Sequence, residues 1–62
     1  MNQETANKWL WQRVENGADP RDFVDHRDLK VALCETFSIA ADRAEWVIAK
    51  WLVSYNEKEV NL

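Results

Sequence analysis

Seven residues near the C-terminus, Ala41, Ala44, Val47, Ile48, Trp51, Leu52 and Tyr55, fall at helical spacing. At roughly 100° per residue they gather on one side of a helix, whereas a strand would throw them alternately to both faces. The spacing predicts a long helix from about Ile39 to Tyr55. The same stretch carries a second apolar series. Trp46 stands five residues before Trp51 and points about 140° away from it, so one core cannot hold both indoles at once. Trp46, Ala49 and Val53 line up on the side opposite the core series, bordered by Asp42, Glu45 and Lys50.

The rest of the chain reads as helix too. Residues 4–15 form a helix that Thr5 could cap, ended by Asn16-Gly17, since glycine tolerates a left-handed C-terminal turn. Its apolar residues Ala6, Trp9, Leu10, Trp11 and Val14 cover about 200° of its circumference, centred on Leu10 and Val14. Asp19-Pro20 signals a single helical turn carrying Phe23 and Val24 inward. Asp25 or Asp28 then caps a helix over 29–37 whose inner face holds Leu29, Ala32, Leu33, Thr36 and Phe37. Ser38 breaks that pattern and can cap the next helix. No stretch alternates long enough to make a strand. The expected fold is all-α: a small three-helix bundle with one additional short helical turn, as a single domain over 1–62. The core spans about 4–55, with a polar tail at 56–62 that frays.

Charge and composition bound the function. The chain has 62 residues, a net charge of −3 and 47% hydrophobic residues, with four Trp, one Tyr and two Phe. That is too much apolar side chain for a disordered segment, and the negative balance works against non-specific attraction to nucleic acid or anionic lipid. One cysteine, Cys34, excludes an intrachain disulfide and fits a reducing, cytoplasmic setting. The start "MNQETANKW" lacks a basic, apolar leader, and the runs around Val47 and Leu52 are too short to span a bilayer.

The segment "LCETFSIAADRAEWV" is similar to a helix-turn-helix element, with Leu33, Cys34, Phe37, Ser38, Ile39, Ala44 and Val47 at its buried and turn positions. Ser38 stands where glycine is common. Any two helices packed across a short turn meet most of these demands. The resemblance implies a DNA-binding transcriptional regulator using residues 29–53, with Arg43 at the reading surface and Lys30 and Lys50 on phosphates. Its outer face would also bring Asp42, Glu45 and Trp46 to a polyanion, which opposes binding.

Catalysis and metal binding find little support. His26 lies among Asp22, Asp25 and Asp28, but acids at a helix start are expected from capping and the helix dipole. No cofactor is expected, and Cys34 reads as a small packing residue. The leading expectation is therefore a small acidic non-enzymatic module of regulator, adaptor or inhibitor type. It would bind another protein or itself, as a homodimer, through Trp46, Ala49 and Val53. Asp42 and Glu45 would form an acidic rim, and Trp11 would join the surface. The competing expectation packs Trp46 inside the monomer, under the N-terminal helix or the Asp19–Asp25 turn.

Overall fold

The computed structural model describes residues 2–60 as three helices: α1 (Gln3–Glu15), α2 (Phe23–Phe37) and α3 (Ala41–Val60). They bury one cluster made of Ala6, Leu10, Leu29, Leu33, Ala44, Val47, Ile48, Trp51 and Tyr55. Each of these is on the face that the 3.6-residue period assigns to the core. Burying a Leu, Ile or Val side chain contributes about 1.5–3 kcal/mol, so these few residues carry most of the stability.

The helix starts lie elsewhere than the sequence suggests. Asn2, not Thr5, caps α1: its side-chain oxygen accepts from the Thr5 amide at 2.8 Å. Asp22, not Asp25 or Asp28, caps α2, accepting from the amides of Val24 and Asp25 at 3.1 Å each. Asp19 and Pro20 form the turn before it, closed by the Asp22 amide donating to the Asp19 carbonyl at 3.0 Å. Asp25 reaches back to the Asp19 amide at 2.9 Å.

The expected turn at Asp19-Pro20 is present, but Phe23 and Val24 belong to the first turn of α2 instead and do not point inward. Both sit more than 100° around the helix from Leu29, and Phe23 is 79% exposed. Among the core positions expected in α3, Ala41 is exposed and Leu52 only half-buried. Helical geometry also runs on to Val60, through part of the expected tail; residues 61 and 62 lie outside the described residues.

Both connections leave their helix through a left-handed residue. After α1 it is Gly17, at φ 105, with the Gly17 amide on the Val14 carbonyl and the Ala18 amide on the Arg13 carbonyl, both 3.0 Å. After α2 it is Ser38, at φ 55 and ψ 49, with the Ser38 and Ile39 amides both donating to the Cys34 carbonyl. These bonds satisfy carbonyls that a helix end otherwise leaves open. Ser38 ends α2 in this way rather than capping α3. A side chain in this region is disfavoured by roughly 1–2 kcal/mol, so Ser38→Gly should stabilise the protein by about 1 kcal/mol. A thermal melt should show a rise of roughly 4–8 °C; an unchanged or lower midpoint would contradict the strain assigned to this residue.

Helices α2 and α3 fold back along each other across the short Ser38–Ala40 link, in helix-turn-helix-like packing. Lys30 Nζ meets Glu45 Oε1 at 3.4 Å, and at the open end Arg21 Nη2 donates to Asn56 Oδ1 at 3.0 Å. Helix α1 lies along α3 on another side, where the Gln3 side-chain Nε2 donates to the Val47 carbonyl at 3.1 Å and Trp11 packs on Trp51.

Candidate interaction surface on α3

Because α3 contributes Ala44, Val47, Ile48, Trp51 and Tyr55 to the core, its opposite side is fixed by geometry. Trp46, Ala49 and Val53 lie there. Trp46 is 48% exposed, Val53 is 59% exposed and Ala49 is open. Trp46 is neither in the buried cluster nor among the side chains packed against it, so the indole is not part of the monomer's core.

Two cations lie over the indole. Arg43 Cζ lies 4.9 Å and Lys50 Nζ 4.7 Å from the Trp46 ring centroid. They stand three residues before and four after it, the spacings at which helix neighbours meet. Each such contact is worth about 0.5–1 kcal/mol at an exposed site and limits the rotamers the ring samples. Asp42 accepts from the Arg43 amide at 2.9 Å, and Glu45 pairs with Lys30. The rim expected to be acidic is therefore mixed in sign.

Trp11 does not join this surface. It is half-buried against Trp51, with ring centroids 5.3 Å apart, and against Tyr55 at 5.8 Å, while Lys58 Nζ lies 4.7 Å above it. Trp9 packs edge-on to Phe37 at 6.1 Å beneath Arg13. Phe23, read from sequence as a core residue, is exposed on α2 instead. Phe23 and Lys30 are seven residues apart and share one flank of α2, and Lys30 meets Glu45 across to α3. The contacts Lys30–Glu45 and Arg21–Asn56 set the relative levels of the two helices, placing Phe23 close to the level of Val53. The sequence signal for this was Asp22-Phe23, a capping residue followed by an apolar first-turn residue that faces away from Leu29.

The residues weighed for DNA contact all have neighbours of their own: Lys30 is on Glu45, and Arg43 and Lys50 flank Trp46. The His26 cluster resolves into local bonds. His26 Nδ1 lies 3.2 Å from the Pro20 carbonyl, Asp22 and Asp25 bond backbone amides, and Asp28 is 4.0 Å from Arg27. A recess of about 100 Å³ between the end of α1 and α2 is lined by Arg13, Ala18, Asp25, Asp28, Leu29 and Ala32. It has room for a few waters rather than a substrate, against the roughly 300–1,000 Å³ of ordinary ligand pockets. Among the described residues no helix is long and apolar enough to cross a membrane.

Comparison with family models, with curated proteins and with solved structures finds no match to this chain.

Proposed function

We propose that this chain is a small acidic, non-enzymatic interaction module of the cytoplasm, acting as a regulator, adaptor or inhibitor by docking the outer face of α3 onto a protein surface. The observation that carries this reading is a half-exposed indole at one end of a solvent-facing apolar strip that continues through Ala49 and Val53, with two cations over its ring. Aromatic anchors of limited freedom are the usual centre of protein interfaces, because little rotamer entropy is lost when they are covered. Arg43 and Lys50 give the strip a local positive edge, despite the net charge of −3.

The DNA-binding alternative has less support. Of its three candidate cations Lys30 is paired with Glu45, and Asp42 and Glu45 would face the phosphates beside Arg43 and Lys50. Titration with duplex DNA at low salt should give no salt-sensitive binding, because Asp42 and Glu45 offset Arg43 and Lys50 on this face and the chain as a whole carries a charge of −3.

Two further results are expected. Trp46→Ala should leave helix content intact and cost under about 1 kcal/mol of stability, since Trp46 is outside the buried cluster and about half exposed. A photo-crosslinking residue replacing Ala49 should give protein adducts in the cell of origin, while one replacing Gln12, exposed on α1, should not. Unfolding by Trp46→Ala, or equal adducts at both positions, would remove the docking reading.

A further inference from the structure

Resting on that docking reading, we infer that the partner is a second copy of this chain, with the two α3 helices packed in parallel. Helical repeats of seven assign Trp46 and Val53 to the a position and Ala49 to d, while Glu45 falls at g and Lys50 at e. In a parallel pair, the g flank of one helix faces the e flank of the other, five residues further along. Glu45 of each copy then meets Lys50 of the other, twice over by symmetry. An antiparallel pair brings e against e, setting the Arg43 and Lys50 flank against its own copy, and like charges repel there. The charge pattern beside the strip is thus self-complementary in one orientation only.

Burial agrees with that arrangement. Glu45 keeps 63% of its side chain exposed while touching Lys30, so it can take a second cation. The small Ala49 lets the two backbones approach between the larger Trp46 and Val53 layers. Asp42 and Asn56 occupy the d positions at either end, so the apolar seam covers only about two turns. A seam that short gives a weak, concentration-dependent pair.

Sedimentation of the full chain from micromolar to millimolar concentration tests this. The weight-average mass should climb from one chain towards two, and Trp46→Ala should abolish the rise. Glu45→Lys and Lys50→Glu should each weaken association on the order of tenfold, by placing like charges across the seam. The double variant E45K/K50E should restore it. Circular dichroism on every variant confirms that the helices are kept.

Three outcomes would overturn the inference: a parent that stays monomeric throughout, a double variant no better than the singles, or tighter pairing by Lys50→Glu alone. The last is the antiparallel signature. A monomer that still forms adducts with other proteins through position 49 would sink the self-pairing while leaving the docking reading in place.

Discussion

Trp51→Ala is expected to cost about 3–5 kcal/mol, the range for deleting a large aromatic from a packed core. A domain of this size, at roughly 0.05–0.15 kcal/mol per residue, has only about 3–9 kcal/mol in total. The variant should therefore be largely unfolded near body temperature, or melt at least 12 °C or so below the parent. The cause is specific. Trp51 is fully buried and forms a three-ring cluster with Trp11 and Tyr55, each with its ring centroid 5.3 Å away, so its loss opens a cavity where α1 meets α3. Trp51→Phe is the informative companion. It keeps a ring and removes an indole N–H that has no hydrogen-bond acceptor in the core, so its cost should be well under that of alanine. Melting followed by circular dichroism decides this, and an alanine variant within a few degrees of the parent would contradict the assigned role.

Leu10→Ala should cost about 3 kcal/mol. Leu10 is fully buried, and with Ala6 it forms the buried part of α1, so the cavity opens where that helix meets the rest. The loss should appear as one cooperative transition at lower temperature, because Ala6 and Leu10 share their cluster with α2 and α3 rather than forming a core of their own. Circular dichroism and tryptophan fluorescence should report coincident midpoints. Separate midpoints would mean that α1 undocks first and that the packing between Trp11 and Trp51 does not couple it to α3.

Much of this fold is legible in the residues. The core series of α3, with Leu29 and Leu33 in α2 and Leu10 in α1, follows from apolar spacing because burial on one face is the strongest force acting on a helix. The helix starts are not legible, because capping grammar is satisfied several times over. Asp19, Asp22, Asp25 and Asp28 recur at intervals of three, and any of them could accept from amides further on. The structure uses Asp22 for the cap, Asp19 for the preceding turn and Asp25 to hold Asp19, a division of labour that needs the whole loop. Phe23 escapes a sequence reading for the same reason: its direction depends on which aspartate begins the helix.

On the outer face, the opposition of Trp46 to Trp51 could be read from a five-residue separation alone. Whether another element of the chain would cover that side could not, since that depends on where α1 docks. The placement of Arg43 and Lys50 on the indole follows from spacings of three and four, yet in a sequence the adjacent Asp42 and Glu45 compete for the same cations. The Lys30–Glu45 pair, fifteen residues apart, decides part of that competition and is a product of the tertiary fold.

The four indoles occupy three different media. Trp51 is dry and without an acceptor, Trp9 and Trp11 are half-screened under Arg13 and Lys58, and Trp46 stands in water between two positive side chains. The chain therefore carries its own optical gauge. Light emitted at the blue edge comes from its interior, light at the red edge comes from position 46, and an anionic quencher, drawn by the adjacent cations, dims the red edge first.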